Sequence, residues 1–228
     1  MGFQAIITIF ALLSCYLLNM EIDKINLYRM THICNIPHIL KYGITHKHSA
    51  NADAGYTSIG DSSLINFRDS KEVYVNGNTV VLGDYIPFYF GIRMPMLYVI
   101  QHGYNYVSAS IKAEDIVYIV VSLKSIREDK NLEYVFSDGH ATDSLTTFYD
   151  KTDIESISDI IDWESVTKHF WYDDLDIKRK KQAEFLIKGD VNANCIIGYV
   201  CYNIQARKRL VEFGIPEDVI KVVPTAYY

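Results

Sequence analysis

DIVYIVVSL, residues 115 to 123, is the stretch of sequence from which the fold can be argued. Its run of isoleucine, valine and tyrosine side chains is typical of a strand that is buried on both faces. Residues 195 to 203, CIIGYVCYN, have the same character and predict a second buried strand. Residues 26 to 33, NLYRMTHI, alternate apolar and polar side chains, which predicts a further strand.

Helical segments lie between these strands, without the regular alternation of strand and helix that is typical of parallel sheets. Asn35 and Pro37 predict the start of a short helix, and Gly43 predicts its end. Further helices are predicted at residues 64 to 68 and 206 to 213. Shorter strands are predicted at residues 71 to 75, 134 to 136 and 219 to 223. The mixture predicts an α+β fold built on a sheet.

An aromatic segment, GDYIPFYFGIRMPMLYVI at residues 83 to 100, contains two prolines. Because proline lacks a backbone N–H, we expect Pro87 and Pro95 each to interrupt regular structure. Residues 96 to 100 then resume as a strand or a helix, and the apolar pattern does not distinguish between the two.

Composition and charge restrict the class of protein. The chain has 228 residues, 49% hydrophobic and 22% charged, which suits one globular domain with at most a small appendage. The net charge of −6 excludes binding of duplex DNA by bulk charge, so nucleic-acid binding needs a local basic patch or ring stacking. The four cysteines (Cys15, Cys34, Cys195 and Cys201) form no C-x-x-C pair, so we expect free thiols in a reducing compartment, the cytoplasm.

The N-terminal residues are unlike the rest of the chain. Residues 3 to 18 form an apolar run that is short for a membrane span, and no Lys or Arg precedes it as in a signal peptide. We favour an artefact, with translation starting at Met20; a membrane anchor, a failed signal or a core helix are the alternatives. The expected organisation is an apolar extension at residues 1 to 20 and one domain at residues 21 to 228, with no stable membrane association.

The sequence lacks several common catalytic motifs. It has no phosphate-binding G-x-x-x-x-G-K-[ST], no dinucleotide-binding G-x-G-x-x-G, no H-E-x-x-H and no G-x-S-x-G. The seven histidines do not combine with Cys or Asp at the spacing of metal ligands, so we expect no metal.

Five segments together resemble the DarT family of DNA ADP-ribosyltransferase toxins, and they occur in the order found in that family. They are LYRMTHICNIPHILKYGI (27 to 44), SIGDSSLINFR (58 to 68), GDYIPFYFGIRMPMLYVI (83 to 100), FSDGHAT (136 to 142) and KKQAEFLI (180 to 187). The resemblance covers about residues 25 to 228, nearly the whole expected domain.

The resemblance implies a fold, a reaction and partners. The fold is an ADP-ribosyltransferase-like, split, mostly antiparallel β-sheet with surrounding helices, and NAD binds as substrate in the cleft between the halves. ADP-ribose passes to a base of single-stranded DNA, for which thymine is favoured and guanine is the alternative, and nicotinamide is released. The implied partner is a DarG-like macrodomain antitoxin that removes the modification.

Glu184 and Arg68 are the catalytic residues that the resemblance implies. Cleavage at the nicotinamide bond develops positive charge on the ribose, which a fixed carboxylate at Glu184 would stabilise. Arg68 would bind the phosphates or ribose of NAD and orient the acceptor base. Without the resemblance, both read as solvent-exposed helix charges.

The resemblance also implies NAD-binding and DNA-binding residues. The NAD site would comprise Thr31, His32, Ile33, Tyr56 and Arg68, with residues 45 to 60 as a lid. The DNA site would comprise Tyr89, Arg93, Met96 and His140, on which a base could stack. Core packing for Tyr89 and Met96, and a solvated loop for residues 45 to 60, are the alternatives. The basic run at 178 to 181 contacts phosphates or forms a solvated helix face.

Two other functions are also compatible with the sequence. The same fold could modify protein or RNA, or only hydrolyse NAD. Alternatively, the chain could be a non-catalytic, aromatic-rich binding module.

Overall fold

The computed structural model describes residues 21 to 228, and its centre is a β-sheet of eight strands. The predicted extension at residues 1 to 20 lies outside the described residues. The strands are β1 (Asn26–His32), β2 (Glu72–Val75), β3 (Asn78–Val81), β4 (Tyr85–Tyr89), β5 (Ile116–Ser122), β6 (Glu133–Ser137), β7 (Phe148–Asp150), β8 (Glu184–Lys188), β9 (Ile196–Cys201) and β10 (Ile220–Val222). The α-helices are α1 (Ile36–Tyr42), α2 (Ser62–Ser70), α3 (Pro95–His102), α4 (Leu123–Glu128), α5 (Ile157–Ile160), α6 (Trp163–Thr167), α7 (Leu175–Lys181) and α8 (Ile204–Glu212).

The large sheet has the order β10-β9-β5-β1-β4-β8-β6-β7, and β2 and β3 form a separate hairpin. Neighbouring strands are antiparallel except for β10 and β9, which are parallel. The predicted α+β fold with a mostly antiparallel sheet is therefore confirmed.

The sheet is divided between β1 and β4. β1 pairs with β5 along its whole length, but it meets β4 only where Tyr28 lies opposite Tyr89. The halves β10-β9-β5-β1 and β4-β8-β6-β7 thus separate beyond that point, which leaves room for a cleft between them.

One hydrophobic core nevertheless connects the two halves. It contains Leu27 and Ile119 from one half and Phe88 and Phe185 from the other. A smaller cluster, which includes Tyr118 and residues of α3, covers the opposite face of β5. Burial on both faces explains why β5 reads as a continuous apolar run.

Pro87 corrects one prediction, because it lies inside β4 rather than interrupting it, whereas Pro95 does begin a helix, α3. The carbonyl of Pro87 accepts a hydrogen bond from Arg29 Nη1 at 2.9 Å, on the edge that faces β1. Along most of that edge, β4 forms no backbone hydrogen bonds with β1. A strand tolerates proline at a position where the missing N–H would have had no partner strand.

Two residues of the basic run at 178 to 181 differ from both of its predicted environments. Arg179 is buried and forms ion pairs with Asp138 and Asp176. Lys181 is only 1% exposed, and its Nζ donates to the carbonyl of Val166 at 2.8 Å. Half of this run therefore supports the fold instead of facing solvent or phosphate.

Among residues 21 to 228, no helix has both the length and the apolar character needed to cross a membrane.

Candidate active site

The centre of the site is a buried ion pair between Arg68 and Glu184. Arg68 Nη1 donates to Glu184 Oε1 at 3.1 Å and lies 2.9 Å from Oε2. The side chain of Glu184 is 1% exposed and that of Arg68 is 16% exposed. Two residues that are 116 positions apart in sequence therefore meet in one place, as the resemblance implied.

The helix α2 positions Arg68. Its N-cap is Asp61, a buried residue whose carboxylate accepts from the backbone N–H groups of Ser63 and Leu64. At the other end, α2 lies against Gly83, where an added Cβ would be only 2.5 Å from the carbonyl oxygen of Asp69. A glycine is therefore needed for α2 to approach the start of β4.

The strand β8 and the turn after β6 fix Glu184. Glu184 is the first residue of β8, so it lies at the end of a strand and not in its middle. The N–H of Ala141 donates to its Oε1 at 3.0 Å, and its own N–H donates to Ser137 Oγ at 3.2 Å. The carboxylate is thus held by one backbone donor and one guanidinium.

Two buried atoms of this pair have no hydrogen-bond partner among the described residues. They are Arg68 Nη2 and Glu184 Oε2, although Oε2 still contacts Arg68 electrostatically. A buried donor or acceptor without a partner is costly, and a ligand that hydrogen-bonds to both atoms would remove that cost. The pair is therefore suited to binding a polar ligand between its two members.

A cavity of about 420 Å³ opens onto the pair. Residues of both halves of the sheet line it, and six of them are sequence-predicted site residues: Tyr56, Arg68, Tyr89, Met96, His140 and Glu184. Its volume lies within the range of small-molecule and cofactor sites.

A second cavity of about 200 Å³ shares part of its lining with the first, including Arg29, His46 and Tyr56. Thr31 and Asn35 also line it. Asn35 Nδ2 donates to Thr31 Oγ1 and to the carbonyl of Thr57, both at 2.9 Å. The predicted helix start at Asn35 is correct, but its side chain ties β1 to the loop at 45 to 60 instead of capping α1.

The loop at 45 to 60 is held over both cavities by several contacts. Asp190 accepts from the N–H of His46 at 2.7 Å and from Ser49 Oγ at 2.5 Å. His46 Nε2 contacts the carbonyl of Gly83 at 2.9 Å, and Lys47 pairs with Asp69. The position of this loop agrees with a lid, which remains a prediction.

Burial determines the charge of the neighbouring side chains. Burial lowers the pKa of His140, and the negative charge of Glu184 opposes this shift. Burial also raises the pKa of Tyr89, which lies opposite Glu184 in the pairing of β4 with β8, and the charge of Glu184 adds to that rise. Both side chains are therefore neutral near pH 7, next to one buried ion pair.

Three sequence-predicted residues lie outside the two cavities. His32 Nδ1 accepts from the N–H of Cys34 at 3.3 Å, and Ile33 is fully buried. Arg93 lies with its guanidinium 4.4 Å from the ring centroid of Tyr228. The structure thus does not bring these three to the ion pair, and their roles remain predictions.

Arg29 is a site residue that the sequence reasoning missed. It lines both cavities and lies at the division of the sheet, where it donates to Pro87. In the sequence, Arg29 stands out only as a cation at a polar position of the alternating strand β1. Alternation alone does not show whether such a position faces a cleft or the solvent.

Across the described part of the chain, no group of three His, Cys, Asp or Glu side chains is arranged to hold a metal ion.

Comparison with known proteins identifies one family. The sequence model of DarT, described as ssDNA thymidine ADP-ribosyltransferase, matches residues 28 to 228. A DNA ADP-ribosyl transferase of Escherichia coli O127:H6 is 31% identical over 213 residues, which are 92% of this chain and 95% of that protein. A fusion of DNA ADP-ribosyl transferase and DNA ADP-ribosyl glycohydrolase from Thermosipho africanus is 29% identical over 71% of this chain and 38% of its own length.

Two solved structures of DarT from Thermus sp. 2.9 have the same fold. The complex with ADP-ribosylated ssDNA has a TM-score of 0.76 and 26% identity, and it covers 89% of this chain and 96% of that one. The complex with NAD+ has a TM-score of 0.71 and 25% identity, covering 90% and 98% of the two chains.

Proposed function

The chain belongs to the DarT family and is an NAD-dependent DNA ADP-ribosyltransferase, and from this premise we propose that it transfers ADP-ribose from NAD to thymine in single-stranded DNA. Nicotinamide leaves in the reaction. The observation that carries the proposal is the buried pair of Arg68 and Glu184, which has two unpartnered polar atoms and lines a cavity between the two halves of the sheet. The catalytic domain is taken to be residues 21 to 228.

Glu184 and Arg68 have different roles in the reaction of NAD. Glu184 Oε2 accepts from a ribose hydroxyl and stabilises the positive charge that develops as the bond to nicotinamide breaks. Arg68 Nη2 donates to a phosphate or ribose oxygen, which orients the dinucleotide. Because Glu184 is almost fully buried, its charge is poorly screened by water and acts strongly on the reacting carbon.

Tyr89, Met96 and His140 receive the acceptor base. They line the same cavity as Glu184, and the ring of His140 is neutral near pH 7. A nitrogen of the base forms the new bond to the ribose carbon, the pair of electrons from the old bond leaves with nicotinamide, and the base releases its proton. An enzyme that acts on the pairing edge of a base needs that base unpaired, which explains the preference for a single strand.

Thymine is the proposed acceptor because the family is described by its action on thymidine in single-stranded DNA. We take Thr31, together with Tyr56 and the loop at 45 to 60, to hold the distal part of NAD in the second cavity. His32, Ile33 and Arg93 line neither cavity, so any effect of these residues on binding would be indirect.

The biological role proposed is that of a toxin that acts in the cytoplasm, where NAD and DNA are both present. Cys34, Cys195 and Cys201 are free thiols, as expected in a reducing compartment. The proposed partner is a DarG-like macrodomain antitoxin that removes the modification. The Thermosipho africanus relative, in which a DNA ADP-ribosyl glycohydrolase is fused to the transferase, supports this pairing of activities.

The test incubates the purified chain with NAD and, separately, with each of the four single-stranded homopolymers. We expect the intact mass of the thymine homopolymer to rise by one or more ADP-ribose groups, and Glu184→Gln to reduce the rate about 1000-fold. Glu72→Gln, at an exposed position of β2, is the matched control and keeps full activity.

Other outcomes replace the proposal with defined alternatives. A mass gain on the guanine homopolymer alone changes the acceptor base. Consumption of NAD with unmodified DNA indicates a hydrolase or an acceptor in protein or RNA. Absence of both NAD consumption and thermal stabilisation by NAD indicates a binding module.

A further inference from the structure

A cluster of aromatic rings lies outside the site described above. It consists of Tyr98, His102, Tyr104, Trp171 and Tyr228, and we call it the aromatic surface. The ring of Tyr98 is at its centre, with centroid distances of 4.1 Å to His102, 6.0 Å to Trp171 and 5.1 Å to Tyr228. His102 and Tyr104 are stacked, with centroids 5.3 Å apart and planes inclined by 23°.

Much of this surface faces solvent. The side chain of Tyr104 is 49% exposed, and His102 is exposed as well. Phe170 and Tyr172 lie next to Trp171 in sequence and are more exposed still. Large rings left open to water at one place are typical of a binding surface rather than of a core.

Two cations lie among these rings. Lys178 Nζ is 5.5 Å from the ring centroid of Trp171, and the Arg93 guanidinium is 4.4 Å from that of Tyr228. Rings for bases and cations for phosphates are the two elements of a site for single-stranded nucleic acid. Because the chain carries a net charge of −6, ring stacking is needed to supply most of the affinity.

The aromatic surface is connected to the catalytic cavity. Helix α3 separates the two: Met96 and Ile100 line the cavity from one face, and Tyr98 and His102 belong to the surface on the opposite face. On the other side, the N–H of His140 in the cavity wall donates to the carbonyl of Arg179 at 3.0 Å, and Arg179 is next to Lys178 in α7. A strand that leaves the cavity past His140 or around α3 therefore meets this surface.

Part of the cluster also has a structural role. Tyr228 is tied to α3 by hydrogen bonds with Gln101, and its hydroxyl accepts from Trp171 Nε1 at 2.7 Å. Replacing Trp171 or Tyr228 would therefore disturb the C-terminal segment. Tyr104 and Lys178 are exposed and suit a test that leaves the fold intact.

We propose that the aromatic surface binds the nucleotides that flank the acceptor base in single-stranded DNA, with bases stacked on Tyr104 and its neighbours and a phosphate at Lys178. This inference rests on the proposed function. It implies that the enzyme favours long single strands over short ones, because only a strand with flanking nucleotides can also stack on the aromatic surface.

The test compares a labelled oligonucleotide that has one central thymine between adenine tracts with a short one that holds only the thymine and its nearest neighbours. We expect Tyr104→Ala to weaken binding of the long oligonucleotide about tenfold and to leave the short one unchanged. Abasic flanks should cause the same loss in the unaltered protein and remove the effect of Tyr104→Ala. Lys178→Ala should weaken binding and reduce its salt dependence by about one phosphate contact.

Tyr74→Ala is the matched control, since Tyr74 is 70% exposed on β2 and lines neither cavity. Unchanged binding of the long oligonucleotide by Tyr104→Ala overturns the inference. It is also overturned if Tyr104→Ala weakens binding of the oligonucleotide with abasic flanks as much as that of the intact one. If Tyr104→Ala loses binding to a macrodomain protein and keeps DNA binding, the surface belongs to a protein partner, which also overturns the inference. If the unaltered chain modifies neither oligonucleotide, the proposed function itself fails, whereas equal modification of both leaves that function in place.

Discussion

Arg68 and Glu184 differ in how much each depends on the other for its stability. Glu184 is buried and has Arg68 and one backbone N–H as partners, whereas Arg68 keeps partial access to solvent. A buried charge that loses its partner is far more costly than a partly exposed one. The two members of the pair are therefore expected to contribute unequally to stability.

Arg68→Met should destabilise the protein more than Glu184→Gln. The first change leaves a buried carboxylate without its cation, at a cost of about 3 kcal/mol. The second keeps an acceptor for the N–H of Ala141 and leaves Arg68 partly hydrated, at a cost of about 1 kcal/mol. Urea unfolding at neutral pH measures both values, and the opposite order would show that Glu184 does not depend on Arg68 for its burial.

His140 should make stability depend on pH below neutrality. Its pKa in the fold is lowered from 6.5, first by burial, while the surrounding charges of Glu184, Arg68, Asp143 and Lys178 partly offset one another. As the pH falls through 6.5, the unfolded chain binds a proton before the folded protein does, so the free energy of unfolding decreases.

The measurement for His140 is urea unfolding across the acidic range, with His140→Gln for comparison. The parent should lose up to about 1.4 kcal/mol per pH unit relative to His140→Gln while only the unfolded state titrates. Parallel curves for the two proteins would show that burial does not perturb this imidazole.

Among the elements, the loop at 45 to 60 is the one in which we expect contacts of the fold to affect the binding of NAD. Asp190 holds the start of this loop through His46 and Ser49. Asp190→Ala removes both hydrogen bonds, so the loop must be ordered by NAD itself. We expect the KM for NAD to rise about tenfold with little change in kcat.

Steady-state kinetics with varied NAD provide the measurement for Asp190→Ala. Asp218→Ala, at an exposed position without a contact to the loop, is the control. A lower melting temperature with an unchanged KM would show that Asp190 supports the fold and not the lid.

Helix α7 carries a buried lysine that should titrate in the alkaline range. The pKa of Lys181 is lowered from 10.5 to about 8, because burial removes water from its charge and Arg93 repels it. Between these two pH values the unfolded chain holds the extra proton, so stability rises with pH by up to about 3 kcal/mol. Lys181→Met should remove this rise and should be at least as stable as the parent at pH 7.

Melting temperatures of the parent and Lys181→Met between neutral and alkaline pH test this prediction. Lys178→Met, at an exposed position of the same helix, serves as the control and should retain the rise. A less stable Lys181→Met protein with an unchanged pH dependence would mean that the hydrogen bond to Val166 outweighs the cost of burying the charge.

The elements also show what sequence can predict. The strands β5 and β9 and the helix α1 were predictable because their signals are local: apolar runs in the first two, and proline and glycine at the ends of the third. Gly43 ends α1 with φ of 79°, a conformation that favours glycine.

Features that depend on distant partners were not predictable from local pattern. Pro87 fits within β4 because β1 separates from it, and Lys181 tolerates burial because its Nζ donates a hydrogen bond to the carbonyl of Val166. The contact of Arg68 with Glu184 spans 116 residues, so no spacing rule indicates it, and only the resemblance to a family suggested it.

For the whole molecule, the important relation is between the divided sheet and the undivided core. The halves meet at the pair of Tyr28 and Tyr89, yet Leu27 and Phe88 belong to the same buried cluster. The cleft is thus open on one side of a core that is continuous beneath it. Such a core should make the two halves unfold together.

Calorimetry should therefore show one unfolding transition, with equal calorimetric and van't Hoff enthalpies, and NAD should shift it as a whole. A ligand at 100 times its Kd adds about 2.7 kcal/mol, which for a chain of this size raises the Tm by about 5–10 °C. Glu184→Gln should show a smaller shift because it lacks the charged acceptor for the ribose. Two transitions, with only one of them moved by NAD, would show that the halves fold separately and that the dinucleotide contacts one half alone.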